Sequence, residues 1–264
     1  MKPFRIEIIG EPLLTLDQFR ENAKTCDGIP RIPKEKPHGG RLAIVGGGPS
    51  IINHLNELRA WNGPIWAINN TAAWLVRQGI SAIMITVDPA PPEQFDTEGV
   101  DYALLASYVH PKLRDKFAEV GIFDLYEIDP ENGIKGGTTT ASRACSLATY
   151  LGFFDVTLFG CEGSFQIGQD HVDRAENRPD IFIIKAGGVD YATYAEWMMQ
   201  SELLAKLVTL APNVFKQKSG GLLQAMVEHP DWEVVAVSES LRDHLIEVNG
   251  DQGIYDSPYE FAAA

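Results

Sequence analysis

The sequence predicts an α/β fold: a doubly wound, mostly parallel sheet with helices on both faces. From residue 41 onward, short runs rich in Ile, Val and Leu alternate with segments of helical periodicity. Repeated alternation of this kind is typical of parallel sheets. The strand-like runs are apolar along their length, as expected for strands that helices cover on both faces. The first of them, residues 41–45, runs directly into a glycine turn and a helix start.

The elements divide the chain into three parts. Residues 1–40 form an N-terminal appendage and linker, 41–248 a Rossmann-like domain, and 249–264 a loose tail. In the appendage we expect a strand over 4–9, a helix over 16–23 and a Pro-, Lys- and Gly-rich linker over 29–40. The strands predicted for the domain are 41–45, 65–68, 82–87, 102–106, 123–128, 156–159 and 233–237. The helices predicted for it are 50–60, 71–78, 110–119, 139–151, 191–210 and 239–247.

Composition narrows the classes of function. With 264 residues and 45% hydrophobic content, the chain can bury a sizeable core. Its net charge of −14 and pI near 4.8 disfavour nucleic acid as a partner, because backbone binding needs a clustered basic surface. The N-terminus lacks the apolar segment of a signal peptide, and no apolar run reaches the length of a membrane span. We therefore expect a cytoplasmic protein; the oligomeric state is left open.

The three cysteines, Cys26, Cys145 and Cys161, lie far apart and form no C-x-x-C pair. Such usage suits a reducing compartment. We expect all three to be buried or incidental.

The glycine turn is the first candidate site. It comprises Gly46, Gly47, Gly48, Pro49 and Ser50. Glycines tolerate positive φ and allow a ligand to approach the backbone, proline suits a first helical position, and the amides at a helix start attract anions. The turn therefore predicts a phosphate site. The alternative is a turn that only lets strand and helix pack together.

Two familiar nucleotide motifs do not match this turn. It lacks the G-x-x-x-x-G-K-[ST] pattern of a P-loop, and the G-x-G-x-x-G spacing places Ile51 at the third glycine. The next strand ends in Asn69 and Asn70 rather than in the acid that holds an NAD ribose. A dinucleotide dehydrogenase is disfavoured, and the two asparagines become candidate nucleotide contacts.

Polar residues also follow two later strands. Asp88 and Glu162 each come directly after a predicted strand, so a parallel sheet brings them to the same edge as the glycine turn. A carboxylate there can hold Mg²⁺ that bridges phosphates, or it can bind substrate. The alternatives are an Asx-type turn at Asp88 and a partly exposed loop acid at Glu162.

A second glycine element precedes the helix predicted over 139–151. It comprises Gly136, Gly137, Thr138 and Thr139, which can either bind an anion or simply cap the helix. His171, in a polar loop beyond Glu162, is a candidate general base or ligand; the alternative is an exposed histidine. We assign Trp66, Trp74 and Trp197 to packing.

Over roughly residues 41–241, the order of five motifs resembles that of a known family. The motifs are Ala43-Ile-Val-Gly-Gly-Gly-Pro-Ser50, Ala67-Ile-Asn-Asn70, Thr86-Val-Asp-Pro89, Gly136-Gly-Thr-Thr-Thr140 and Leu151-Gly-Phe-Phe-Asp-Val-Thr-Leu-Phe-Gly160. In this order they resemble the MptE-like family of 6-hydroxymethylpterin pyrophosphokinases, which is related to the motility-associated factors linked to flagellin glycosylation. The first and last motifs also resemble bacterial sialyltransferases that use a CMP-sugar.

The resemblance implies residue roles, with two departures. Glu162 stands where these relatives usually have Asp, and the sialyltransferase base expected before the second glycine element has no counterpart between Gly121 and Lys135. His171 matches a histidine often found in the MptE-like group. The late turn at 218–221 resembles that group's own and implies that Lys216 or Lys218 reaches the phosphates.

Three functions follow from these residues and the resemblance. The first is a diphosphokinase-like transferase that binds ATP and Mg²⁺, with Asp88 and Glu162 on the metal and a pterin-like alcohol or other small acceptor attacking the β-phosphorus. The second is a glycosyltransferase that uses a nucleotide sugar, with a base such as His171 activating a glycan or other acceptor. The third is a nucleotide-binding module without catalysis. Diphosphate transfer is favoured over sugar transfer.

Overall fold

The main sheet has seven parallel strands. The computed structural model describes residues 4–6, 14–164, 181–237 and 245–247. In spatial order the strands are β10 (Phe215–Gln217), β7 (Phe153–Phe159), β2 (His38–Val45), β3 (Ile65–Ile68), β4 (Ile83–Thr86), β5 (Tyr102–Ala106) and β6 (Glu119–Phe123). The predicted α/β class and parallel sheet are confirmed.

The order of the strands creates a topological switch point. The chain moves outward from β2 through β3, β4, β5 and β6, then returns through helix α4 (Thr140–Tyr150) to β7 on the other side of β2. Connections from β2 and β7 therefore leave in opposite directions. In open parallel sheets, ligands bind in the crevice outside the carboxyl ends of such strands. The glycine turn after β2 and Glu162 after β7 flank this crevice.

The core lies around the central strands. Residues 42–45 of β2 and 156–159 of β7 are all buried, which explains why these two stretches are almost entirely apolar rather than alternating. Between β2 and α2 (Leu55–Arg59) the chain forms a 3₁₀ helix, Pro49–His54. Helix α3 (Thr71–Arg77) contacts β3 and β4, and α4 contacts β2 and β7.

A smaller antiparallel sheet follows in sequence. It consists of β11 (Glu233–Val237), β8 (Phe182–Ala186) and β9 (Val189–Thr193). Helix α5 (Ala195–Leu210) contacts α4 and β10, while α6 (Gly221–Glu228) contacts α5 and β8. The start of α5 is thereby brought to the same end of the main sheet as the glycine turn.

The N-terminal segment lies against the far edge of the main sheet. Helix α1 (Leu16–Lys24) begins with Thr15 in a capping box. Arg31 forms an ion pair with Asp124, 2.7 Å between nitrogen and oxygen, and a β-bridge with Ile122. Strand β1 (Phe4–Ile6) pairs with β12 (Leu245–Glu247). Among the helices of these described ranges, none has both the length and the apolar character that crossing a membrane requires.

Several predicted element boundaries were wrong. The helix expected over 110–119 is a 3₁₀ turn, Pro111–Lys116, followed by β6, so the strand expected over 123–128 ends at Phe123. The helix expected from 191 begins at Ala195, because residues 189–193 pair with β8. Residues 245–247 form a strand instead of the end of a helix. Strands β8 and β10 and helix α6 were not predicted.

Candidate functional site

A pocket of about 190 Å³ lies at the carboxyl ends of β2, β3 and β7. Its walls come from five segments of the chain: the glycine turn, the end of β3, the start of α4, the loop after β7 and the first turns of α5. The lining residues are Gly46, Gly47, Gly48, Ile68, Asn69, Thr139, Thr140, Ala141, residues 160–164, Glu196, Trp197 and Gln200. The pocket therefore occupies the switch point between β2 and β7, where the fold favours a ligand.

The glycines of the turn serve close approach rather than positive φ. None of Gly46, Gly47 and Gly48 has positive φ. A Cβ on Gly46 would lie 2.4 Å from the carbonyl oxygen of Gly160, and a Cβ on Gly48 would lie 1.5 Å from Oε2 of Glu162. The turn and the loop after β7 thus touch through their backbones, and Pro49 occupies the first turn of the 3₁₀ helix as predicted.

In the pocket lining, the backbone amides of Gly47, Thr140 and Ala141 donate no hydrogen bond to the described residues. We call them the amide cradle. The other amides of the turn are engaged, since Gly48 donates to Gly160 over 2.8 Å and Ser50 donates to Glu162 over 2.6 Å. Thr140 and Ala141 belong to the first turn of α4, where the helix dipole favours an anion.

Glu162 joins the two sides of the crevice. Its Oε1 accepts the Ser50 amide, and its buried Oε2 has no hydrogen-bond donor among the described residues. Only 6% of the residue is exposed. Burial raises the pKa of the Glu162 carboxyl, and this effect outweighs the opposing effects of Ser50 and of the charge on His54. Glu162 is therefore a buried acid at the pocket wall, not the exposed loop acid of the alternative interpretation.

The two asparagines after β3 have different environments. Asn69 has a positive φ of 49° and lines the pocket, and its buried Oδ1 accepts no hydrogen bond from the described residues. Asn tolerates this left-handed conformation, and its unpaired buried acceptor at the pocket wall keeps Asn69 a candidate ligand contact. Asn70 instead holds the loop after β4: its Nδ2 donates to Gln94 over 3.2 Å and its Oδ1 accepts from Asp96 over 2.9 Å.

Asp88 lies outside the pocket lining. It forms the Asx-type turn, because its Oδ1 accepts the amide of Ala90 over 2.9 Å. Strands β4 and β7 are three places apart in the sheet, or about 14 Å at the usual strand spacing. The structure does not bring Asp88 together with Glu162, and the described residues contain no group of three or more His, Cys, Asp or Glu side chains that could hold a metal.

The second glycine element contributes mainly structure. Thr139 caps α4, accepting the Ser142 amide over 3.4 Å. Gly136 and Gly137 have positive φ, and a Cβ on Gly137 would lie 1.9 Å from the Ser142 hydroxyl. Neither glycine nor Thr138 lines the pocket. The interpretation of this element as a helix cap therefore agrees with the structure. Thr139 both caps the helix and lines the pocket.

Three pocket residues on α5 were missed: Glu196, Trp197 and Gln200. Trp197, which we assigned to packing, packs edge-on against Tyr194 with 4.9 Å between ring centres, and it is also a residue of the pocket lining. Trp66 and Trp74 do pack in or against the core. The spacing of 196, 197 and 200 fits one helix face, but nothing in the sequence places that face beside a turn some 150 residues earlier.

The lysines implied by the resemblance are engaged elsewhere. Lys216 pairs with Asp155 over 2.8 Å, and Lys218 pairs with Glu57 over 2.5 Å. The ammonium group of Lys135 lies 4.9 Å from the ring centre of Tyr126. His171 lies outside the described residues. The described pocket lining thus contains two acids and no Lys, Arg or His.

The cysteines are free and buried, as predicted. Cys161 lines the pocket, yet burial and the neighbouring Glu162 raise the pKa of its thiol to about 12. Its backbone amide donates to the Ser219 hydroxyl over 3.0 Å. A neutral thiol of this kind is a poor nucleophile.

Comparison with known proteins gives a family and a fold. The family model described as 6-hydroxymethylpterin diphosphokinase MptE-like matches residues 15–168, more than half of the chain. Among solved structures, the chain is similar to the MAf glycosyltransferase from Magnetospirillum magneticum AMB-1, with a TM-score of 0.58 and 16% identity over 81% of this chain. The match spans 38% of the glycosyltransferase, and at this identity it concerns the fold alone. A search of curated proteins gives no match.

Proposed function

The chain belongs to the MptE-like family, and we propose that it is a nucleotide-dependent transferase that passes the diphosphate of ATP to a pterin-like or other small alcohol. Family membership supports the coarser statement, a transferase. The observation that supports diphosphate transfer from ATP is the amide cradle. Its three unpaired amides come from two separate segments and line one pocket at the switch point. Backbone amides at a helix start are a recurrent phosphate site.

The reaction suits a site built for positioning. The acceptor oxygen forms a bond to the β-phosphorus, the bond from that phosphorus to the oxygen bridging the α-phosphate breaks, and AMP leaves. The acceptor proton passes to a base, for which His171 stays our candidate. Phosphoryl-type transfer depends mostly on alignment and charge neutralisation. A pocket of amides, hydroxyls and carboxylates without a reactive nucleophile supports that class of chemistry.

Mg²⁺ is the proposed companion of ATP, and Glu162 is its candidate ligand. Its Oε2 has the right chemistry and accepts no hydrogen bond among the described residues. Bound Mg²⁺ supplies neutralisation of phosphate charge. Asp88, at the end of β4, is too distant to share an ion with Glu162, because Mg²⁺ holds its ligands within about 2.1 Å. We propose that Asp88 instead binds a ribose hydroxyl of the nucleotide.

A product assay tests this function. Purified protein is incubated with ATP, Mg²⁺ and 6-hydroxymethylpterin, and AMP and the pterin diphosphate are measured by mass spectrometry. We expect AMP to form only when the acceptor and Mg²⁺ are both present. Absence of AMP under conditions in which both MgATP and the pterin bind would overturn diphosphate transfer.

Sugar transfer from a CMP-sugar is the second candidate. It is favoured by one observation: the fold is similar to that of a MAf glycosyltransferase. In this reaction the acceptor oxygen forms a bond to the anomeric carbon, the bond from that carbon to the phosphate oxygen breaks, CMP leaves, and the acceptor proton passes to a base. Binding of a ligand to the folded state raises the melting temperature. Stabilisation by CMP or CTP without metal, and none by MgATP, would favour this candidate.

A further inference from the structure

The late turn, residues 218–221, holds the loop that carries Glu162. The Ser219 hydroxyl accepts the backbone N–H of Cys161 over 3.0 Å, and the backbone N–H of Lys218 donates to the Leu158 carbonyl oxygen over 2.8 Å. Ser219 is wholly buried, so solvent cannot replace its hydroxyl as the acceptor. The turn is therefore bonded to the end of β7 and to the residue directly before Glu162.

The first turn of α6 holds the same loop from the other side. The Leu223 backbone N–H donates to the Glu162 carbonyl oxygen over 2.9 Å, and that of Leu222 donates to the Ser164 hydroxyl over 3.0 Å. Gly221 has a φ of +58°, and a Cβ there would lie 2.7 Å from Cβ of Glu162. The late turn and the helix start together hold the chain before, at and after Glu162.

The position of this backbone sets the position of the Glu162 carboxylate. Its Oε1 accepts the Ser50 backbone N–H over 2.6 Å. A displacement of the loop would lengthen this hydrogen bond, and hydrogen bonds weaken as donor and acceptor separate. A side chain that is held in place before a ligand arrives binds at a lower entropic cost than one that must first be ordered.

We propose that Ser219 and Ser164 are positioning residues that hold the Glu162 carboxylate in place from either side. The inference rests on the proposed function, in which Glu162 binds the Mg²⁺ of MgATP. It gives the late turn a role different from the phosphate contact that the family resemblance implied for the nearby lysines. Both lysines pair with acids outside the pocket lining, whereas the hydroxyl and backbone of the turn reach the Glu162 loop.

Backbone ¹H–¹⁵N spectra of Ser219→Ala and Ser107→Ala test the proposal without any ligand. Ser107 is the matched control, because it is a buried serine whose hydroxyl has no partner among the described residues, and it follows β5, four places from β7 in the sheet. In Ser219→Ala the Cys161 N–H loses its acceptor. We expect the Ser50 amide proton signal to move to higher field as its bond to Glu162 lengthens, and to stay in place in Ser107→Ala.

Ser164→Ala is the second variant, and it decides the proposal if Ser219→Ala does not fold. It removes the acceptor of the Leu222 N–H on the other side of Glu162, so the Ser50 signal should again move to higher field. An unchanged Ser50 signal in the folded variants would overturn the positioning role.

Titration calorimetry separates this inference from the proposed function. Ser219→Ala should bind MgATP about fivefold or more weakly than wild type. Its affinity for metal-free tripolyphosphate should stay within about twofold, because the amide cradle does not include the Glu162 loop. A displaced Ser50 signal with unchanged MgATP affinity would support the positioning role and overturn Glu162 as the Mg²⁺ ligand. If wild type binds no MgATP, the proposed function fails, and the Ser50 signal still decides the positioning role.

Discussion

Ser50 donates its backbone N–H to Oε1 of Glu162 over 2.6 Å, across 112 residues of sequence. This bond ties the turn after β2 to the loop after β7, at the point where the sheet changes direction. It also occupies one amide that the sequence analysis assigned to phosphate. The phosphate site that we propose therefore rests on the amides of Gly47, Thr140 and Ala141.

Replacing Glu162 by Gln should make the fold less sensitive to pH. Because burial raises the pKa of this carboxyl above 4.5, the folded state keeps a proton that the unfolded chain has already lost. The carboxyl therefore lowers stability as pH rises from about 4.5 through the raised pKa, and the loss persists above it. In thermal denaturation, Tm of Glu162→Gln minus Tm of wild type should be more positive at pH 8 than at pH 4.

Glu162→Ala is the control for this variant. It removes the same titratable carboxyl but also leaves the Ser50 amide without its acceptor, so its free energy of unfolding should lie about 1–3 kcal/mol below that of Glu162→Gln at either pH. A Tm difference for Glu162→Gln that does not change with pH would contradict the assigned burial of the carboxyl.

Gly48→Ala should disrupt the site. Its Cβ would lie 1.5 Å from Glu162 Oε2 and 2.8 Å from the Gly160 carbonyl oxygen, so either the turn or the loop must move. We expect a loss of about 1–3 kcal/mol in the free energy of unfolding together with weaker nucleotide binding. Gly39→Ala is the matched control, since nothing lies within 4 Å of that Cβ. Equal denaturation midpoints for the two variants would be incompatible with the close approach of turn and loop.

Asn69→Gly should separate binding from stability. Glycine adopts the positive φ of this position without strain, so stability should stay within about 1 kcal/mol of wild type. The lost Oδ1 acceptor should weaken nucleotide binding by about 1 kcal/mol, roughly fivefold. Asn70→Ala should lower stability and leave nucleotide binding unchanged, because the two hydrogen bonds of Asn70 hold the loop after β4. Titration calorimetry and urea denaturation of both variants provide the check, and unchanged affinity in Asn69→Gly would remove Asn69 from the site.

Lys218→Met should leave nucleotide affinity within about twofold of wild type, because the ammonium group pairs with Glu57 and not with the pocket. The ion pair is partly exposed, so its loss should change the free energy of unfolding by less than about 1 kcal/mol. A tenfold weaker affinity for MgATP in this variant would restore the phosphate role that the family resemblance implied.

The sequence predicted the strands at the centre of the sheet well, since β3 and β5 match the predicted ranges residue for residue. These strands are buried on both faces, so their apolar runs identify them without help from distant residues. Strand β9 was taken for the start of a helix because its pairing with β8 is a tertiary contact. Helix α6 was missed because the Gly220-Gly221 pair at its start is typical of a turn. Both glycines do have positive φ, and the helix begins directly after Gly220.

The site was predicted only where a strand end revealed it. Rules for parallel sheets brought the glycine turn, the two asparagines and Glu162 to one edge. The three glycines, Asn69 and Glu162 line the pocket, whereas Pro49, Ser50 and Asn70 do not. The same rules placed Asp88 at that edge but could not show how many strands separate it from β7. The sequence could not predict that the first turns of α5 line the pocket, because the approach of this helix depends on its contacts with Gly163.

The central claim is that the amide cradle binds the phosphates of a nucleotide. Backbone ¹H–¹⁵N spectra of the labelled protein, recorded during titration with MgATP and then with tripolyphosphate, test it most directly. We expect the amide signals of Gly47, Thr140 and Ala141 to shift with both ligands, and that of Gly39 to stay in place. Shifts elsewhere in the chain that leave all three cradle amides unchanged would contradict the claim.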